Sequence, residues 1–216
     1  CIIQGKDIMI FDLKSVIKEL QINITGAIHV GGYDAQELPL YRSLGLFNSI
    51  VFEPQKRMYD LIKSKCIVNE KVYNVALGSE DFETEMFISD NEGVSQSSSI
   101  LEPKVHLTEH PEVTFPSKEK ITVKRFDKFV DDNKIDISKH NLLDIDVQGY
   151  ELEVLKGISD YIKNMSVINI EVNRDEVYKD CARIEDIDDY LSKYNFQKVA
   201  LYWQSKSWGD ALYAKT

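Results

Sequence analysis

Apolar residues recur along this chain at two periods, one helical and one extended. Leu13, Val16, Ile17 and Leu20 follow the spacing of a helix face, and Asp12 is placed to cap it, so residues 1–24 are expected to hold an N-terminal helical segment. TGAIHVGG (25–32) reads as a short buried strand ending in paired glycines. A helix over 34–44 should follow, with Leu38, Tyr41 and Leu44 on one face. SIVFE (49–53) predicts a second strand, closed by Pro54 and followed by a helix that carries Met58, Leu61 and Ile62. VYNVAL (72–77) predicts a third strand. The order β, α, β, α, β implies a parallel sheet with covered faces.

Residues 79–120 break this rhythm. A short alternation in ETEMFIS gives way to the polar run SQSSS and a stretch with Pro103, Pro111 and Pro116, which reads as a hairpin edge and a long loop. Loops of that length in compact domains usually cover or bind something. Beyond it the strand pattern returns in NLLDIDV (141–147) and SVINIEV (166–172), with helices around Leu152, Val154 and Leu155 and around Ile184, Ile187, Leu191 and Tyr194. FQKVAL and DALYAK, joined by YWQSKSW, predict two closing strands. No repeat and no linker interrupts the pattern, so residues 1–216 are read as a single α/β domain.

Composition narrows the partners. Lys and Arg number 26 against 36 Asp and Glu, a net charge of −10, which argues against nucleic acid because such binders neutralise phosphates with basic residues. No apolar run approaches the roughly 20 residues that span a bilayer. Cys1, Cys66 and Cys181 are odd in number and far apart, so neither a disulfide framework nor a zinc site is implied, and a cytoplasmic, reducing location is expected. The first residue is Cys rather than Met, which suggests excision from a longer polypeptide.

In an open parallel sheet, ligands bind beyond the carboxyl ends of the strands where strand order reverses. Gly31 and Gly32 stand there after the first strand, allowing backbone N–H groups close to a ligand at the mouth of the next helix. Glu53, 22 residues beyond Gly31, ends the second strand and can accept two hydrogen bonds from a ribose diol. A glycine turn alone often serves only packing; together with Glu53 it describes an adenosine site. Nicotinamide dinucleotides and S-adenosylmethionine both use such a site. VGGYDA lacks the GxGxxG spacing that holds a pyrophosphate, and the chain is short of a second domain, so S-adenosylmethionine is the better reading.

The strongest local signal is LLDIDVQGYELEVLKG (142–157), with Asp144 and Asp146 on one side of a strand, then Gln148, a glycine turn and Glu151. Asp146 and Glu151 have a structural alternative as helix-start caps. The next strand ends in Glu171, Val172 and Asn173. Asp146 and Glu171 are therefore candidate catalytic groups, and Asp146, Glu171 and Asn173 are an oxygen set able to hold Mg²⁺.

These motifs resemble the FkbM-type S-adenosylmethionine-dependent methyltransferases. IHVGGYDAQE (28–37), VFEP (51–54), NVALGSEDFETEMF (74–87), SSSIL (97–101), ITVKRFDKF (121–129), LLDIDVQGYELEVLKG, EVN (171–173) and WGDALY (208–213) carry the likeness. The resemblance implies a Rossmann-like class I methyltransferase fold, a mostly parallel seven-stranded sheet with helices on both faces. It places His29, Gly31, Gly32 and Tyr33 at the donor, Glu53 and Pro54 at its ribose, and Ala76 with Leu77 near adenine. Ser98 joins the donor site, and Asp146 and Val147 lie at the methionine end. His29 stands where an aspartate is common and inside a buried strand, where a satisfied core histidine is the simpler reading. Ala35 replaces a glycine.

Members of this family methylate hydroxyls on sugars or polyketides. The resemblance therefore implies an O-methyltransferase acting on a sugar hydroxyl, with a deoxyhexose such as rhamnose or fucose in a glycan favoured and fusion to glycosyltransferase modules compatible with the ragged start. A polyketide or lipid-linked hydroxyl is an alternative acceptor, and an inactive donor- or partner-binding module an alternative role. Gln148, Tyr178, Trp208, Asp210 and His106 are candidate substrate contacts. Trp203 could complete an aromatic floor with Trp208 and Tyr178, although edge packing explains these rings nearly as well. His106 and His110 could act as bases from the long loop, where solvated side chains are the simpler expectation.

Overall fold

The computed structural model describes residues 13–90 and 96–215; Cys1 and the proposed cap Asp12 lie outside them. The chain runs α1 (Leu13–Glu19), β1 (Ala27–Val30), α2 (Leu38–Ser43), β2 (Ile50–Phe52), α3 (Lys56–Lys65), β3 (Lys71–Tyr73), β4 (Ala76–Gly78) and β5 (Phe82–Asp90). It continues with α4 (His106–Glu109), β6 (Thr114–Arg125), α5 (Phe126–Asp132), β7 (Leu142–Ile145) and α6 (Glu151–Ile158). A 3₁₀ turn (Ser159–Asn164) leads to β8 (Val167–Asn173), α7 (Ile184–Ser192), β9 (Phe196–Trp203) and β10 (Trp208–Lys215).

Seven strands form one sheet in the order β3-β2-β1-β7-β8-β10-β9. The five from β3 to β8 are mutually parallel, and β10 is inserted antiparallel between β8 and β9. Strand order reverses between β1 and β7, which opens a crevice at their carboxyl ends. Residues of alternating parity face opposite layers, as the pleat requires. Ile28, Val30, Phe52, Ile145 and Ile170 pack with Phe126, Leu155 and Leu191 of α5, α6 and α7. Ala27, Val51, Leu142, Val167 and Leu212 pack with Leu13, Leu38, Tyr41 and Ile62 of α1, α2 and α3. Burial on both faces explains why β1, β7 and β8 read as nearly continuous apolar runs.

Three expectations change. The helix after β1 begins at Leu38, not Asp34; residues 34–37 form turns, with Ala35 at φ +54°. Residues 72–77 are not one strand, because Asn74 Nδ2 donates to the carbonyls of Glu53 (3.0 Å) and Pro54 (2.7 Å) and turns the chain. β3 therefore ends at Tyr73 on the edge of the main sheet, and β4 opens a second sheet of order β4-β6-β5. The presumed long loop is also shorter, since residues 114–120 belong to β6 and pair antiparallel with β5.

Candidate active site

The sheet register sets two polar rows across the crevice. His29, Asp144 and Asn169 are adjacent on β1, β7 and β8. One step toward the carboxyl ends, on the same face, stand Gly31, Asp146, Glu171 and Asp210, the last two directly paired between β8 and β10. Both rows border a cavity of about 550 Å³, within the usual range for small-molecule sites. β4, β5 and the segment 96–113 form its other wall, through Ala76, Met86, Ser98, Ile100, His106 and Val113.

At one end of the cavity the glycine turn and Glu53 are built together. The N–H groups of Gly31 and Gly32 donate to the carbonyl of Phe52 at 3.0 and 3.2 Å, fastening the turn to β2. Gly31 adopts φ +86°, and a Cβ there would lie 1.8 Å from the carbonyl oxygen of Asp146, so no larger residue fits. Past the turn, the N–H of Tyr33 donates to Glu53 Oε2 (2.8 Å) and that of Gln55 to Oε1 (2.7 Å). Glu53 is only 2% exposed, and burial pushes its carboxyl up to about 7 against the pull of those two N–H groups. The geometry here is therefore a carboxylate fixed by backbone donors and facing the cavity, not a helix N-terminus, since α2 starts seven residues past Gly31.

At the other end Gln148 ties two carboxyls together. Its Nε2 donates to Asp146 Oδ1 at 2.7 Å and to Glu171 Oε2 at 2.8 Å. Its Oε1 lies 2.8 Å from the Tyr178 hydroxyl, which is also 3.0 Å from the Ser97 carbonyl, and Ser99 Oγ donates to the Gln148 carbonyl at 2.7 Å. Asp146 opens into the cavity and stays accessible to solvent, while desolvation by the surrounding cavity wall raises its pKa. Glu171 is raised well above the usual carboxylate range by burial first, then by Asp146, Glu151 and Asp210. Both carboxyls are shifted upward, Glu171 the more strongly, because burial and their mutual proximity disfavour two charges side by side. Burial lifts Asp210 to about 7 beside Gln204, whose Nε2 donates to it at 2.5 Å.

The sequence profile described as the methyltransferase FkbM domain matches residues 29–198, which spans both ends of this cavity. The chain belongs to the FkbM methyltransferase family. Its fold is that of the class I S-adenosylmethionine-dependent methyltransferases. Magnesium protoporphyrin IX methyltransferase from Synechocystis PCC 6803 with bound SAM superposes at a TM-score of 0.50, with 9% identity over 94% of this chain and 76% of that one. Its complex with SAH gives 0.50 at 8% identity, covering 94% and 79%. A SAM-dependent methyltransferase from Aquifex aeolicus gives 0.47 at 12% identity, covering 95% and 90%. Among curated protein sequences, none matches.

In this FkbM domain every donor residue expected from sequence borders the one cavity: His29, Gly31, Gly32 and Tyr33, then Glu53, Pro54, Ala76 and Leu77, then Ser98, Asp146 and Val147. His29 is not a satisfied core histidine. Its Nδ1 makes no hydrogen bond and faces Glu37 Oε2 at 3.7 Å. Asn169 Oδ1 is likewise buried and unpaired, while Asn169 Nδ2 (2.9 Å) and the Tyr41 hydroxyl (2.5 Å) both donate to Asp144. These unused polar atoms, the tight glycine turn and the oriented Glu53 together fit a polar nucleoside-bearing ligand.

Of the expected substrate contacts, Gln148, Trp208, Asp210 and His106 reach the cavity. Tyr178 does not; it is fully buried and acts through Gln148. Trp203 lies away from the site with the Arg174 guanidinium 3.6 Å over its ring, so the aromatic floor reduces to Trp208. His106 is not a solvated loop residue: it is 4% exposed and packs beside His110, Phe115 and Tyr178, and burial, aided by His110, lowers it to about 4. Glu151 does not cap α6; it is a buried residue that accepts from the N–H groups of Val147 (3.2 Å) and Gly149 (3.0 Å) in the turn ahead of the helix.

The expected Mg²⁺ set does not fit. Asn173 is off the cavity lining, and the Gln148 amide already spans the two carboxyls a cation would need. No group of three His, Cys, Asp or Glu residues with metal-holding geometry occurs among the described residues. Sequence reasoning missed Glu37, Asn169 and Met86. Asn169 carried a signal, sharing strand parity with Glu171 in SVINIEV; Glu37 and Met86 carried none.

Proposed function

We propose that this chain transfers the methyl group of S-adenosylmethionine to a hydroxyl of a sugar, a deoxyhexose such as rhamnose or fucose within a glycan being the first choice. The observation that carries this reading is one continuous cavity with an oriented, buried Glu53 at one end and the bridged Asp146–Glu171 pair at the other. Beyond that pair, Trp208, Asp210, Gln204 and His110 offer an aromatic face and several hydrogen-bonding groups, the mixture a sugar ring uses. No Lys or Arg borders the cavity among the described residues, which favours an uncharged acceptor over a phosphorylated one.

In this reading Glu53 accepts from the ribose hydroxyls, Ala76, Leu77 and Met86 cover adenine, and the Gly31–Gly32 turn, His29 and Asp146 border the methionine end. When bound, the donor supplies an electrophilic methyl on a sulfonium, which leaves with the acceptor oxygen while sulfur keeps the electron pair. The chain's own task is to align the acceptor and take its proton. Alignment within about 3–3.5 Å supplies much of the acceleration. Asp146, fixed by Gln148, receives the hydroxyl proton; general bases of this kind give roughly 10² to 10⁴-fold. Glu171, whose carboxyl burial and Asp146 push upward, is disfavoured from adding a second negative charge beside it.

Calorimetry with S-adenosylhomocysteine, followed by a mass-spectrometric screen of saccharides with labelled donor, tests the reading. Donor-product binding and label on a neutral glycoside support it. Absence of binding removes it, and label confined to a polyketide or lipid-linked alcohol transfers the activity to that class.

A further inference from the structure

We infer that the Gln148 side-chain amide occupies the place of a divalent cation between Asp146 and Glu171, so that this carboxyl pair works without a metal and Gln148 is its positioning residue. The inference concerns the pair itself and stands whatever the acceptor proves to be.

Two carboxyl oxygens from adjacent strands converge on one point, the arrangement that commonly gathers a hard cation. Here that point is filled by Gln148 Nε2, at 2.7 Å from one oxygen and 2.8 Å from the other. An amide has two N–H donors on one nitrogen, and here it gives one to each carboxyl oxygen, so its NH₂ end faces the pair. Oε1 is then turned to the Tyr178 hydroxyl at 2.8 Å. The backbone is committed to the same end. Gln148 sits at φ +56°, a left-handed conformation that costs a non-glycine residue about 1–2 kcal/mol, and Ser99 Oγ holds its carbonyl at 2.7 Å. Tyr178, fully buried, supports the amide from behind. Strain of this kind persists where the surroundings over-determine it, and here four partners do.

Replacing the amide by a carboxylate would put three acceptors where there are two acceptors and a donor. Gln148→Glu is therefore expected to create the cation site that the natural side chain fills.

Calorimetric titration with Mn²⁺ alone, on the wild-type chain, on Asp146→Asn and on Gln148→Glu, decides the matter. The wild-type chain should show no Asp146-dependent Mn²⁺ site up to about 1 mM, the weak end of natural divalent sites. Gln148→Glu should gain one equivalent bound at least roughly tenfold more tightly than any wild-type binding. A wild-type Mn²⁺ site that Asp146→Asn abolishes overturns the inference, and so does a folded Gln148→Glu protein that binds no better than wild type. Should that variant fail to fold, the wild-type and Asp146→Asn titrations decide alone. S-adenosylhomocysteine binding, measured in parallel, reports on the donor site separately, so loss of the proposed function and loss of this inference have different signatures.

Discussion

The backbone N–H of Tyr33 donates to Oε2 of Glu53 across 20 residues of sequence, at 2.8 Å. This one bond couples the glycine turn to the acid that faces the cavity, so that the loop's shape and the carboxylate's aim are set together.

Glu53→Gln should weaken S-adenosylhomocysteine binding about tenfold or more, since hydrogen bonds to a charged acceptor contribute roughly 1.5–3 kcal/mol each. Because burial holds Glu53 up at about 7, wild-type affinity should also rise between pH 6 and pH 8 as the carboxyl ionises. Calorimetry across that range checks both points; an unchanged dissociation constant in the variant would remove Glu53 from the donor site.

Stability without ligand should fall as pH rises from about 4 to 7. Glu53 and Glu151 both titrate near 7 in the fold, above the ordinary carboxylate value, so the folded chain binds more protons than the unfolded one through this window. Each fully buried group accounts for roughly 1–3 kcal/mol at the upper end. Glu151→Gln keeps an acceptor for the N–H groups of Val147 and Gly149 and should flatten the profile. A melting temperature that climbs from pH 5.5 to 7.5 in the wild-type chain would contradict this.

Gly31→Ala should be among the most damaging single changes. The added Cβ meets the Asp146 carbonyl at 1.8 Å, on a backbone at φ +86°, so either β1 and β7 separate or the turn rearranges. A loss of about 3 kcal/mol or more is expected, read as a lowered denaturation midpoint, together with loss of donor-product binding.

Tyr41→Phe removes a donor to the buried Asp144, leaving the Asn169 amide as its side-chain donor among the described residues. The expected cost is about 1–3 kcal/mol, visible in urea denaturation. A neutral outcome would mean that Asp144 finds another partner.

Asp146→Asn should lower methyl transfer by roughly 10² to 10⁴ once an acceptor is in hand, while the KM for acceptor changes only a few-fold. If kcat is preserved, the proton goes elsewhere and His106, buried and neutral at the cavity wall, becomes the group to test next.

Much of this was legible in the chain. Helix and strand order followed from apolar spacing, and the glycine pair, Glu53 and Asp146 stood out because strand ends in a parallel sheet place such residues at one rim. The errors share a cause. Asn74 splits 72–77 by bonding to carbonyls 20 and 21 residues away, which no local period encodes. The histidines of the long loop looked solvated because nothing nearby in sequence announces that His106 packs against Phe115 and Tyr178.

The sequence by itself determined the family and most of the element order, and it singled out candidate residues such as Gly31, Glu53 and Asp146, since these depend on local periodicity and on residue type at strand ends. Only the tertiary structure decided which of them meet. Asn173 shares a strand face with Glu171 yet stays off the cavity, whereas Gln148 lands between two carboxyls because Ser99 and Tyr178, 49 and 30 residues away, hold it there. A side chain's destination beyond its own element is fixed by register and packing between distant segments, and those contacts exist only once the sheet has assembled.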